Sequence, residues 1–398
     1  MQAHYDMAIV GAGPAGLATA LLARRAGLSV ALIERQPRGF IAAPQPDGRD
    51  IALTHRSIAI LKDMGVWDHI PADEVSPIQR AAVRNAGSGD LLSLTAGPAD
   101  RNALGSLVAN HVIRKALYDL VAEQEGIELI PEAAAKSLAL EASGAAVTLS
   151  SGESLNASLV VAADSRFSET RRMAGIGADM KDFGRVCIVC RMEHERVHDQ
   201  TAIEWFDTDQ TLAALPLNGC QSSIVLTLPS DAAPAAMEMT GEAFAGHVER
   251  RFRSRWGRMQ LIGKRHAYPL VAVYAHRFHA RRFALVGDAA VGMHPVTAHG
   301  YNFGLRGAAS LVTEIVRARR GRKDIGSEEA LAAYGREHRA ATYPLYLATN
   351  ALVGLYTDNG LIAGLARNAL LRIGDALTPL KAYLVHKLTE SGEARSSI

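Results

Sequence analysis

Asp6-Met7-Ala8-Ile9-Val10, followed by Gly11-Ala12-Gly13-Pro14-Ala15-Gly16, is the stretch on which the fold depends. The apolar run reads as a buried strand, and a glycine turn leading straight into a helix lifts the Gly-x-Gly-x-x-Gly pattern above a chance cluster. Each glycine has its own reason. Gly11 permits the tight turn, Gly13 lets the backbone approach a pyrophosphate, and Gly16 lets helix and strand pack closely while the first helical amides face the anion. Gly27 stops the helix that starts at Pro14. Ser29 to Glu34 forms a second strand, and Glu34 at its end is positioned to accept from a ribose hydroxyl. Strand, turn, helix, strand and acid in this order specify a βαβ unit that holds a dinucleotide. NAD and FAD satisfy the pattern equally.

Outward from this unit, 398 residues exceed one ordinary core, so two interlocked domains are expected. With 43 Lys+Arg against 41 Asp+Glu, the net charge of +2 gives no field that would draw the chain onto nucleic acid. Cys187, Cys190 and Cys220 are too few for a disulfide framework and fit a reducing compartment, the cytoplasm. Cys187-Ile188-Val189-Cys190 lacks a second pair or a histidine set, so both cysteines read as core and no metal is expected. The N-terminus carries none of the parts of an export signal, and no run of about 18 apolar residues suggests a membrane span. Helices are predicted at about Ser57 to Met64 and Asn110 to Glu125, with strands at Ala145 to Leu149 and Leu159 to Ala163. Short strands then follow at Val186 to Met192, Ala202 to Phe206, Thr211 to Leu215 and Ser222 to Leu226, before a helix near Gly241 to Trp256 and a strand ending at Leu270. The expectation is an α/β protein. A Rossmann-like domain takes residues 1–180 and 275–345, an antiparallel β-sheet domain is inserted at 181–274, and residues 346–398 form a helical C-terminus.

Two later motifs separate FAD from NAD. Arg282-Phe283-Ala284-Leu285-Val286-Gly287-Asp288, followed by His294-Pro295 and Gly300-Tyr301-Asn302-Phe303-Gly304, resembles the second flavin motif of single-component aromatic hydroxylases. The resemblance implies that Asp288 bonds the ribityl chain and that Pro295, Gly300, Tyr301 and Asn302 lie beside the isoalloxazine ring. Amides at a helix start there suit negative charge on the reduced flavin. Val160 to Ser168, containing Asp164-Ser165-Arg166, resembles the Asp-Gly motif of the same family, with Ser165 in place of the usual glycine. In that family the segment is tied to FAD and to pyridine nucleotide. Arg49 and Arg114, in Asp47-Gly48-Arg49-Asp50 and Asn110-His111-Val112-Ile113-Arg114, match arginines that contact FAD in the family. Ala15 and Arg35 complete the candidate FAD-contact set.

Within the family the chain is most similar to the ubiquinone-biosynthesis hydroxylases, from about residue 6 to residue 350. The run Ile51 to Leu61 followed by Gly65-Val66-Trp67 carries this likeness. Val291 where a histidine is usual, Ala298-His299 for Gly-Gln, and Gly307 for an aspartate resemble the UbiM-type subgroup. The resemblance implies hydroxylation of a polyprenylated aromatic precursor at one or more ring positions. Oxygen then comes from O2 through a flavin C4a-hydroperoxide, and NAD(P)H is the candidate electron donor. His299 is the candidate catalytic residue because it replaces an uncharged residue beside the ring; its bland alternative is a helix-start histidine bonded to backbone. Trp205, Leu215 and Tyr268 are candidates for an apolar substrate slot, against the plainer reading as core.

The segment Leu361 to Leu388 has apolar residues at helical spacing, with Arg367, Arg372, Lys381 and Lys387 elsewhere, a pattern suited to the inner face of an anionic membrane. Packing on the protein itself or on a second subunit explains it equally. The sequence is also compatible with a homo-oligomer, a biosynthetic complex, a prenyl-lipid reductase, a hydroxylase of a soluble aromatic compound and a non-catalytic FAD-bearing subunit. A halogenase is disfavoured, since Trp67, Trp205 and Trp256 form no Trp-x-Trp signature.

Overall fold

The computed structural model describes residues 4–85, 90–97, 103–206, 210–294 and 299–357. Strand His4–Val10 pairs in parallel with Val30–Ile33 on one side and Ser154–Ala162 on the other. The sheet continues to Ile127–Ile130 beyond the first and to Phe283–Leu285 and His279–Ala280 beyond the second. Val-Ala-Leu-Ile at residues 30–33 is buried throughout, as a parallel strand covered on both faces must be. Helix Pro14–Arg25 packs on Asn110–Glu123 and on Gly300–Arg320. An antiparallel hairpin, Ala135–Leu140 with Ala145–Leu149, leads into Ser154–Ala162.

The second sheet is larger than expected. Its order is Val291–Gly292, Met259–Ala275, Ala178–His194, Gln221–Pro229, Thr211–Pro216, Thr201–Phe206, Arg80–Asn85 and Asp90–Thr95. The two strands read as short from sequence, near 186–192 and ending at 270, each run for 17 residues and are paired with register shifts. Polar residues at the solvent ends hid that length from a search for apolar alternation. The expected first domain, residues 1–180, includes Arg80–Asn85 and Asp90–Thr95, yet Arg80–Asn85 joins this sheet in parallel with Thr201–Phe206 and pairs with Asp90–Thr95. Its sequence, Arg-Ala-Ala-Val-Arg-Asn, has little apolar contrast between its two faces.

One face of the second sheet is closed by helix Gly241–Arg251, with Ile188, Ile203 and Trp205 packed on Phe244, Val248 and Phe252. The opposite face carries Cys187, Val189, Val225, Tyr268 and Leu270. It turns toward the parallel sheet, because Gly48 lies against Val189 and His266 while Arg191 pairs with Asp50 at 2.6 Å. A small sheet of Asp50–Leu53, Gly105–Ala109 and Ser76–Ile78 borders the same side. Cys187 and Cys190 therefore point to opposite faces, each in an apolar cluster. Among the described residues no helix is long and apolar enough to cross a membrane.

Gly307, in helix Gly300–Arg320, faces His338 of helix Glu328–Thr357. A Cβ at 307 would stand 2.8 Å from His338 Cε1. The buried imidazole lies nearly parallel to the Tyr334 ring at 5.6 Å, and burial pushes its pKa down to about 3. Alanine is otherwise the better helix former by about 1 kcal/mol. Gly307→Ala is therefore expected to lower the melting temperature, and to lower it less in a His338→Ala background. A rise on Gly307→Ala in thermal unfolding contradicts this packing.

Candidate active site

The first glycine turn is fixed by lack of room. Gly11 has φ +106°, and a Cβ there would lie 2.5 Å from the Ala163 carbonyl oxygen. A Cβ on Gly16 would lie 1.8 Å from the Gly11 carbonyl oxygen. Gly13 differs: nothing lies within 4 Å of its missing Cβ. Pro14 opens the helix, no side chain caps it, and no acid occupies its first turn, so its positive end is left for an anion. Glu34 holds the turn, accepting from the Ala12 amide at 2.7 Å and the Gln36 amide at 3.0 Å.

A second helix start, Gly300–Arg320, meets the first at Gly287. A Cβ on Gly287 would be 2.8 Å from Ala15 Cβ, and one on Gly304 would be 3.2 Å from Gly287 Cα. Among the described residues this helix also has no side-chain cap and no acid in its first turn, and Gly300 has open space around its missing Cβ. Two uncapped positive helix ends thus converge beside Asp288. Gly13, Gly300 and these ends fit the pyrophosphate and the electron-accepting ring of a flavin dinucleotide.

The remaining predicted residues fall into distinct surroundings. Asp288 accepts from Arg166 at 2.9 Å, and Arg166 also donates to the Val271 carbonyl at 3.0 Å, tying the motif to the second sheet. Arg49 donates to Asp47 at 2.5 Å and lies over the Tyr268 ring at 5.4 Å. Asn110 donates to the same Asp47 carboxylate at 2.7 Å, and Tyr268 donates to the Asp47 carbonyl at 2.8 Å. Burial raises Asp47, but the hydrogen bond and charge of Arg49 outweigh it and hold the carboxyl below its ordinary value. Arg114 is lowered by burial, with Asp47, Arg49 and Glu34 among the charges it senses, so these four groups form one neighbourhood. Arg35 is exposed.

Several side chains are engaged with the protein itself. Asp164 accepts from the Ser168 hydroxyl at 2.5 Å, the Thr170 amide at 3.2 Å and the Thr170 hydroxyl, and so shapes the loop before helix Glu169–Met173. Ser165 has φ +110°, which explains the glycine found there in the family it resembles. Asn302 accepts from the Thr54 amide at 3.1 Å and donates to the Ala52 carbonyl at 2.8 Å, stitching the second helix to the small sheet. The buried Tyr301 hydroxyl has no hydrogen-bond partner among the described residues, and burial raises its pKa. His299 is buried at the helix start, its carbonyl accepting from the Phe303 amide at 2.9 Å and its ring 5.4 Å from the Phe303 ring. Pro295 and Ala298 lie outside the described residues, as does the amphipathic segment from Leu361 to Leu388.

Of the substrate-slot candidates, Trp205 requires correction. Its indole is buried against Phe252 in the core under helix Gly241–Arg251, because alternation along Thr201–Phe206 turns it to the closed face. Leu215 packs with Ile78, Leu107 and Leu217 on the side facing the parallel sheet. Tyr268 shares that side and touches the Arg49 loop. Sequence reasoning missed Asp47, Asn110 and Arg166, which lay inside quoted motifs, and Glu204. The signal for Glu204 was a lone acid in Ala-Ile-Glu-Trp-Phe. Burial pushes its carboxyl up to about 8. The cleft lined by Arg25, Gly27, Val316 and Arg319 lies at the far ends of the two helices, away from this site.

A model of the family described as an FAD binding domain matches residues 4–345. The chain is 40% identical to ubiquinone hydroxylase UbiM of Neisseria meningitidis, over 98% of this chain and 85% of that protein. It is 34% identical to ubiquinone hydroxylase UbiL of Rhodospirillum rubrum, over 94% of this chain and 87% of that one. Among solved structures, p-nitrophenol 4-monooxygenase PnpA from Pseudomonas putida shares the fold with a TM-score of 0.77 at 17% identity, covering 99% of this chain and 100% of that one.

Three outcomes test the site. Gly13→Val is expected to leave a folded protein that has lost FAD, whereas Gly16→Val loses the fold as well; flavin absorbance beside circular dichroism separates them. Ser165→Gly is expected to raise stability by about 1 kcal/mol in denaturant unfolding, since it removes a positive φ from a non-glycine residue. Glu204 stabilises the fold as a neutral acid. Its contribution is complete below its ordinary value near 4.5 and is lost as pH rises through about 8. Glu204→Gln should therefore melt progressively above the wild type across that window; an unchanged difference contradicts the burial.

Proposed function

The chain belongs to the FAD-binding monooxygenase family that includes the ubiquinone hydroxylases, and on that premise we propose that it hydroxylates the aromatic ring of a polyprenylated ubiquinone precursor. The observation that carries this reading is the meeting of two uncapped helix starts at Gly287-Asp288, directly beside an apolar sheet face. Bound FAD supplies the reduction of O2 and the transfer of an oxygen atom to the ring.

The chain's own residues bind, orient and exclude water. The first amides of helix Pro14–Arg25 would hold the pyrophosphate of FAD, with no Cβ at Gly13 to bar its approach. Glu34, with Arg114 in its neighbourhood, would hold the adenosine side of FAD, and Asp288, held by Arg166, would hold the ribityl side. The start of helix Gly300–Arg320 would stabilise negative charge on a reduced flavin. Cys187, Val189, Val225 and Leu270 give the substrate an apolar wall that keeps water from the reaction. Arg49 over Tyr268 closes the edge of that wall.

The test is restoration of ubiquinone in bacteria lacking each ring hydroxylase in turn, read by mass spectrometry of accumulated quinones. Restoration in at least one strain, and in none with Gly13→Asp, is expected. An FAD-loaded protein that restores no strain overturns the quinone assignment.

A further inference from the structure

Strand Thr201–Phe206 divides its side chains between two environments. Ile203 and Trp205 enter the core beneath helix Gly241–Arg251, while Ala202 packs with Ile78, Leu107 and Leu215 on the other face. Glu204 shares the face of Ala202. Its cross-strand neighbours are Ala213 and Val83, so neither brings a counter-charge. The Cys187 thiol senses both the Glu204 carboxylate and the Arg166 guanidinium. Across the sheet Glu204 pairs with Ala213, Ala213 with Val225 and Val225 with Val189, so Glu204 lies on the face that carries Val189, Val225 and Tyr268.

Buried acids are normally paired or hydrogen-bonded. The Glu204 carboxyl shows no hydrogen-bond or ion-pair partner among the described residues, and desolvation alone perturbs it. Yet the residue retains partial exposure, whereas Ile203 and Trp205 on either side are buried. Its carboxyl therefore has apolar neighbours on both paired strands and keeps access to a partner from outside the chain. An apolar cleft with one polar group is the arrangement that orients a largely apolar ligand.

We propose that Glu204 receives the ring hydroxyl of the substrate, its carboxyl hydrogen-bonding the phenolic O–H and so setting which edge of the ring faces the flavin. The assignment rests on the hydroxylase reading and deepens it. The apolar face holds the ring and the prenyl chain, and Glu204 supplies the single directional contact. A site built around such a contact discriminates strongly against an analogue lacking the hydroxyl.

The experiment titrates FAD-loaded protein with 2-prenylphenol and with prenylbenzene, which differ by the hydroxyl alone, following the flavin spectrum. Wild type is expected to bind the phenol at least about tenfold more tightly. Glu204→Leu should bind the two alike with its FAD content intact, and Glu204→Gln, which keeps hydrogen-bonding atoms, should retain part of the preference. Full discrimination in Glu204→Leu or loss of it in Glu204→Gln with retained phenol affinity overturns the assignment. If neither compound perturbs the flavin of the wild type, the quinone-precursor reading falls and takes this one with it.

Discussion

Close backbone approach between glycines is the constraint on which the rest of the structure depends. No side-chain atom fits between Gly16 and the carbonyl of Gly11, or between Gly304 and Gly287 without displacement. Because these contacts leave out Cβ atoms, strand His4–Val10, the turn after Phe283–Leu285 and two helix starts reach one place. Any bulkier residue would separate the two positive helix ends and divide the anion site. Glu34 and Ala15 complete the junction, one by holding the turn's amide and the other by filling the space beside Gly287.

A second set of contacts sets the distance between this junction and the substrate wall. Asp50 is almost wholly buried and bonds Arg191 of the second sheet at 2.6 Å. Arg166 links Asp288 to the carbonyl of Val271, and Tyr268 bonds the backbone of Asp47. A charged pair left half-made in such a place is strongly unfavourable, so these bonds favour one register between loop and sheet. Glu204 is the polar group that this otherwise apolar wall carries. The proposed function thus joins a glycine-made anion site to an apolar surface across a polar seam.

Much of this arrangement was legible in the sequence because short-range signals carried it. The turn Gly11 to Gly16, the acid at 34 and the pair Gly287-Asp288 have local geometry that their residue types specify. The alternation of Thr201–Phe206 is legible as well, but not which of its faces lies toward the flavin-binding side, so the sequence alone does not separate Trp205 from its neighbour Glu204. Strand Arg80–Asn85 was invisible because its pairing partner is far along the chain and its own pattern is weak. Asp164 and Asn302 sat in motifs that resemble flavin contacts, yet their side chains serve nearby backbone and hydroxyl groups, a choice that only three-dimensional neighbours decide. Ser165 shows the reverse: its residue type does not signal the positive φ that the backbone adopts there.

The most direct test of the central claim is to supply FAD-loaded protein with a reduced nicotinamide, a prenylated phenol and oxygen-18 gas, then weigh the product by mass spectrometry. The account predicts a ring that has gained a single labelled oxygen atom, in proportion to the reductant consumed. Consumption of reductant with only labelled hydrogen peroxide formed, and no label in the ring, would contradict it.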